Sequence, residues 1–251
     1  MSGHSKWSSI KHKKGKEDQR RGKIFSKLVK EITVAAREGG GTPDMNARLR
    51  LAVEKANEAN MPKDNIQKAI KRGTGELPGV AYHELTYEGY GPGGVTVMVQ
   101  VTTDNKNRTA SEMRRLFADY GGSMGESGCV GWMFVKKGYI SISKEKISED
   151  DLMAYVIPLE VEDLKTEDAA FFEIFTDPLH FSSVKEGLNN IVEFEAAEIT
   201  MLPNTYINLK GKDAEKMLKF VEALEDNEDV QEVFSNFDID DAEMEKIEDS
   251  L

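Results

Sequence analysis

The sequence has little with which to build covalent or metal-centred chemistry. Cys129 is the one cysteine in 251 residues, so an intramolecular disulfide and a thiolate cluster for zinc are excluded, as suits a reducing compartment. His4, His12, His83 and His180 are scattered with no i, i+4 pair, which argues against a metal site. No stretch approaches the roughly 20 consecutive apolar residues of a membrane helix, and no apolar run follows the basic first residues as in a secretory leader. The expectation is a soluble, cytoplasmic protein with no membrane partner, no metal and no cofactor.

Catalytic signals are equally thin. The glycine-rich stretch "YEGYGPGGV", Tyr87 to Val95, leads into a strand and lacks the Lys-Ser/Thr pair of a phosphate loop. A tight hairpin turn is the better reading, with Tyr87 and Tyr90 as a candidate exposed surface. Cys129 falls in an apolar strand pattern, where a free cysteine is an inert small hydrophobe. Acidic runs such as "EDNED" read as solvated surface. No small-molecule substrate is evident, and the chain is not expected to be an enzyme.

What is present is charge, unevenly placed. The whole chain has a formal net charge of −12. Residues 1–75 hold 18 Lys/Arg against 8 Asp/Glu, hence +10, and the rest hold 15 against 37, hence −22. A basic module on an acidic body points to a polyanion partner at one end only.

Apolar spacing divides the chain further. Residues 1–20 show no periodicity, and a helical stripe begins at Ile24. Thr42-Pro43 reads as N-cap and first position of a second helix, and Asn60-Met61-Pro62 turns into a third that closes near Gly73. From Gly94 a strand, a helix opened by a capping box at Thr109 to Glu112, and a strand "CVGWMFV" from Cys129 form a βαβ unit. A second such unit lies at the far end, "TYINL", a helix capped by Asp213, and "VQEVFSNF". Between them "YISIS", "FFEIFT" and "FEAAEITML" alternate with two short helices. The predicted fold is α+β with three domains: an N-terminal three-helix bundle and two α/β domains built of ferredoxin-like half-units, the third inserted into the second. The boundaries expected are 1–78 for the basic arm and helical domain, 79–136 plus 203–239 for the discontinuous domain, and 137–202 for the insert. Residues 240–251 read as an acidic tail with no core contribution.

The basic module supplies the functional candidates. Lys6, Lys11, His12, Lys13, Lys14, Lys16, Arg20, Arg21, Lys23 and Lys27 can meet phosphates, and Trp7 can stack on an unpaired base. In the bundle Lys63, Lys68, Lys71 and Arg72 lie off the apolar stripe. In "TTDNKNRT", Lys106, Asn107 and Arg108 stand beside a helix N-terminus and are candidate anion or RNA contacts, against a simpler reading as a capping turn. The corner within residues 45–72 also resembles a helix-turn-helix, with Asn65 and Gln67 able to read adenine, though any small helical bundle shows such a corner.

The strings "GHSKWSSIKHKK", "RGKIFSKL", "EITVAAREGGG", "NMPKDNIQKAIKRGTGE", "YEGYGPGGV" and "TDNKNRT" run almost continuously over residues 3–109, and "SNFDI" follows near the end. In them the chain resembles the YebC family. The resemblance implies three domains, the third inserted in the second, and a non-enzymatic regulator of gene expression. Bacterial relatives are described as DNA-binding transcriptional regulators; mitochondrial relatives are translational activators, and family members are connected to ribosomes stalled on proline-rich chains. A flexible basic arm with one tryptophan suits irregular RNA better than duplex DNA. The first reading is therefore a ribosome- or messenger-RNA-associated translation factor that also meets ribosomal proteins. A transcriptional regulator binding duplex DNA through the 45–72 corner is the alternative, and an interaction scaffold is a third.

Overall fold

The computed structural model describes residues 17–250. The helical unit consists of α1 (Glu17–Gly39), α2 (Ala47–Glu58) and α3 (Lys63–Gly73). The chain continues through β1 (His83–Tyr90), β2 (Thr96–Thr103), α4 (Lys106–Asp119), β3 (Ser123–Met124), β4 (Phe134–Ser143), α5 (Glu149–Val156), β5 (Asp163–Lys165), β6 (Phe171–Thr176), α6 (Phe181–Asn189) and β7 (Ala196–Pro203). It ends with β8 (Ile207–Asn208), α7 (Gly211–Glu225), β9 (Val230–Ser235), β10 (Phe237–Asp238) and α8 (Asp241–Ser250).

In the helical unit, Ile32, Ala35 and Ala36 of α1 bury against Leu49, Ala52 and Ala56 of α2 and Ile66, Ala69 and Ile70 of α3. Both shorter helices pack far more against α1 than against each other. Small residues permit this closeness: a Cβ on Gly73 would sit 2.4 Å from the Thr33 carbonyl oxygen. The corner between α2 and α3 turns at Asn60, whose φ of 58° is in the left-handed region, one that asparagine tolerates better than most residues.

The middle unit has a four-stranded sheet in the order β3-β1-β2-β9. β1 and β2 form an antiparallel hairpin whose turn is closed by Gly91 N–H to the Val95 carbonyl at 2.7 Å, so the glycine-rich stretch is a hairpin turn. One face is covered by α4 and α7, with Val97, Val99, Val101, Met113, Phe117, Leu218, Phe220 and Val221 in one core. Phe117 meets Phe220 edge-on at 4.9 Å between ring centroids. β9, from the far end of the chain, completes the sheet beside β2. The third unit is a complete βαββαβ module, with sheet order β5-β6-β4-β7 and α5 and α6 packed on one face through Leu152, Val156, Phe181, Val184 and Leu188. The architecture is thus α+β, a helical unit followed by two sheet units of which the third interrupts the second.

Several local expectations are corrected. α1 is helical from Glu17 onward among the described residues, well before the apolar stripe at Ile24. Thr42-Pro43 opens only a 3-10 turn, while α2 is capped by Asn46, whose side chain accepts the Leu49 N–H at 3.1 Å. α4 is capped by Asn105 rather than Thr109. α7 begins at Gly211, with Asp213 in its first turn and the Gly211 N–H bound by Glu243. "CVGWMFV" is not a strand of the middle sheet: β4 starts at Phe134, runs on through "YISIS", and belongs to the third sheet, so it crosses the boundary expected at 136/137. Tyr87 points into the middle core while Tyr90 is exposed. The acidic tail contributes to the core, because Met244 and Ile247 of α8 are buried at 4% and 3% exposure.

Candidate nucleic-acid interface

The basic side chains of the helical unit separate into two groups. Lys23, Lys27 and Lys30 recur every three or four residues along α1 and all meet the turn between α7 and β9. Lys23 Nζ lies 3.5 Å from Asp226, Lys27 Nζ donates to the Glu225 carbonyl at 2.7 Å, and Lys30 Nζ donates to Asp229 at 2.7 Å. Arg48 of α2 makes a parallel connection, its guanidinium fork bound to both oxygens of Glu31 and bridging to Glu38 and to Glu84 of β1. These cations fasten the helical unit to the middle unit.

The second group faces solvent. Lys68, Lys71 and Arg72 are exposed on the side of α3 away from Ile66, Ala69 and Ile70, Lys63 is exposed in its first turn, and none of the four has an ion pair among the described residues. Asn65 and Gln67 are exposed on the same helix. Arg21 of α1 is exposed as well, and Arg20 lies on the same first turns. Lys6, Trp7, Lys11, His12, Lys13, Lys14 and Lys16 lie outside the described residues.

At the α4 N-terminus, Lys106 and Asn107 are exposed, but Arg108 is engaged. Its Nη2 donates to Asp104 at 2.8 Å and to Asp229 at 2.8 Å. Asp229 also accepts from Thr103 Oγ1 at 3.0 Å and Thr109 Oγ1 at 2.7 Å. Burial raises the pKa of this carboxyl, and the bonds from Arg108, Lys30 and Thr109 more than offset it, holding the group at about 2. The motif "TTDNKNRT" therefore builds a cradle for a carboxylate of the protein itself. Sequence reading missed Asp229: it sits in "EDNED", and the one hint was the β-branched strand that begins at Val230.

A second buried carboxylate organises the loop before β4. Glu88 of β1 is 6% exposed and accepts the backbone N–H groups of Gly128, Val130 and Gly131 at 2.8, 2.8 and 2.6 Å. Burial raises its pKa, but those three bonds prevail and lower it. Its loop presents Trp132, 72% exposed, with Nε1 donating to the Cys129 carbonyl at 3.2 Å. Cys129 packs beside Val130, Phe134 and Phe234, and burial pushes its thiol pKa up, away from the reactive thiolate. Among the described residues no cluster of three His, Cys, Asp or Glu suits a metal ion, and no helix is long and apolar enough to cross a membrane.

Residues 5–76 match the family description "TACO1/YebC protein N-terminal domain", and residues 82–237 match "TACO1/YebC second and third domain". A "probable transcriptional regulatory protein" of Geobacter sulfurreducens is 55% identical over 248 residues, 98% of this chain and 100% of that one. One of the same description from Dictyoglomus turgidum is 54% identical over 243 residues, 96% and 97% of the two chains. The crystal structure of a conserved hypothetical protein from Aquifex aeolicus superposes with a TM-score of 0.80 at 47% identity, covering 92% of this chain and 96% of that one. With both domain descriptions matched and relatives aligned from end to end, the chain belongs to the TACO1/YebC family.

Proposed function

We propose that this chain is a non-enzymatic, nucleic-acid-binding regulator of gene expression that acts on the ribosome, using its basic N-terminal arm and the outer face of α3 as the RNA contact. The carrying observation is the division of cations in the helical unit: Lys63, Lys68, Lys71 and Arg72 are exposed with no ion pair among the described residues, whereas Lys23, Lys27, Lys30 and Arg48 are bound to the middle unit. Exposed cations beside a basic arm can displace counterions from a phosphate backbone, and the acidic body turns that backbone away from the other two units. Trp7 supplies a stacking surface for an unpaired base. The relatives' description as probable regulatory proteins supports the gene-expression role. Messenger or ribosomal RNA and basic ribosomal proteins are the partners in this reading, and the cytoplasm is the compartment.

A second reading rests on Asn65 and Gln67, exposed between the lysines of α3: amide side chains there can pair with adenine in a major groove. It makes the protein a transcriptional regulator binding duplex DNA. That α2 and α3 pack on α1 more than on each other favours the first reading, since a helix-turn-helix reader depends on the fixed angle of its two helices. Binding of the full chain to purified ribosomes and to a duplex DNA pool, at two salt concentrations, separates the readings. Ribosome binding that survives salt while DNA binding does not supports the first; sequence-selective, salt-resistant DNA binding supports the second.

A further inference from the structure

Met153, Ile157 and Leu179 are among the large apolar side chains that the third unit leaves outside its core. Ile157 is 74% exposed, Leu179 86% and Met153 43%. Met153 and Ile157 stand one turn apart on the outer side of α5, with the Ile157 N–H bonded to the Met153 carbonyl at 3.0 Å. Leu179 lies in the turn that enters α6. β5 begins opposite the end of β6, with Asp163 paired to Phe175, so the segment after α5 and the Leu179 turn leave the sheet at the same end. His180 Nε2, 3.7 Å from Glu160, links the two. The Leu179 turn is held by its own bonds: Asp177 Oδ1 accepts the Leu179 N–H at 2.8 Å, and the Asp177 carbonyl accepts the His180 N–H at 3.0 Å. Single exposed apolar residues need no explanation, but a group at one end of a domain marks a contact surface.

The charge around the group selects its partner. Residues 137–202 contain five lysines, no arginine and fifteen Asp/Glu, a net −10. Every one of those lysines is already engaged: Lys137 with Glu162, Lys144 with the Thr166 carbonyl, Lys146 with Glu193 and Glu195, Lys165 over the Phe175 ring, and Lys185 with Glu54. Glu149 and Asp150 at the start of α5 and Asp163 at the start of β5 are exposed and have no ion pair among the described residues. A nucleic-acid backbone is repelled by such a field, and a positively charged chain is drawn to it.

We propose that the outer side of α5 and the adjoining end of the third unit dock a cationic, amphipathic protein segment, whose apolar side chains cover Met153, Ile157 and Leu179 while its Lys or Arg residues meet Asp163 at that end and Glu149 and Asp150 at the N-terminal end of α5. The surface is separate from the α3 face and does not depend on the RNA reading. The test uses the full chain and a labelled peptide of roughly 18 residues, five helical turns, with Leu and Lys placed to give one apolar face; a scrambled peptide of the same composition is the control. Fluorescence anisotropy should show the amphipathic peptide binding about tenfold or more tighter than the control, with I157S/L179S losing about that factor at an unchanged melting temperature. E149Q/D150N/D163N should weaken binding and flatten its salt dependence. Equal affinity for both peptides, or full binding by I157S/L179S, overturns the proposal. So does a dimer in sedimentation that I157S/L179S converts to monomer, which assigns the face to a second copy of the chain.

Discussion

Lys30 and Asp229, 199 residues apart in the chain, are joined by a 2.7 Å ion pair that ties α1 of the helical unit to the turn leading into β9. The same carboxylate takes Arg108, Thr103 and Thr109, so one buried acid joins three distant parts of the sequence. Its side chain is 5% exposed, and a buried carboxylate persists as an anion only when its acceptor sites are filled.

Removing that carboxylate leaves Lys30 without a counter-charge and Arg108 with Asp104 alone. Asp229→Ala is expected to lower stability by about 3–5 kcal/mol, as for other broken buried pairs. Once Asp229 is gone, adding Lys30→Met should cost little more, because the two substitutions remove one interaction. Urea denaturation of the two single variants and the double variant measures the coupling.

Acid should release the same junction. The Asp229 pKa is held at about 2 in the folded protein, against about 3.9 in an unfolded chain. A carboxyl depressed in this way contributes stability that is complete above its unfolded pKa and lost as the pH falls through the folded one. About 2 kcal/mol should therefore disappear between about pH 4 and pH 2. Asp229→Asn should flatten that part of the stability profile, measured by thermal melts at stepped pH.

Glu88→Gln replaces one acceptor oxygen by an N–H₂ that faces backbone N–H groups of the Gly128 to Gly131 turn. The unpaired donors should cost about 1–3 kcal/mol and loosen the loop that carries Trp132. Trp132 emission in a Trp7→Phe background, with acrylamide quenching, reports the change; unaltered emission and stability would mean that the three bonds do not set the loop.

Ile247→Ala tests the end of the chain. A solvated acidic tail predicts no effect, whereas a side chain 3% exposed in the middle core predicts a loss of about 2–4 kcal/mol.

The tail shows where the sequence was legible and where it was not. The α3 boundaries, the β1-β2 hairpin and the order of helical and sheet units follow from apolar period and turn residues, which act locally. Met244 and Ile247 were hidden because two apolar residues within "DDAEMEKIEDSL" make a stripe too short to separate from a solvated helix. Asp229 was hidden for a related reason: what buries it comes from α1 and α4, and no local pattern encodes partners so remote. The strand "CVGWMFV" failed because Glu88, forty residues earlier, draws three of its neighbouring N–H groups out of any sheet. For the candidate site, residue type marks the cations but not which of them the fold pairs, so Lys23 and Lys27 read alike with Lys63, Lys68, Lys71 and Arg72, and Arg108 reads as a candidate anion contact although Asp104 and Asp229 already hold it.

That division is the central claim, and ribosome binding by three variants tests it directly. K63Q/K68Q/K71Q/R72Q, and separately a chain without residues 1–16, should each bind purified ribosomes about tenfold or more weakly at an unchanged melting temperature. K23Q/K27Q should instead lower the melting temperature while affinity stays within about twofold, since Lys23 and Lys27 act on Asp226 and the Glu225 carbonyl. Unchanged affinity in the first two and lost affinity in the third would contradict the account and return the interface to α1.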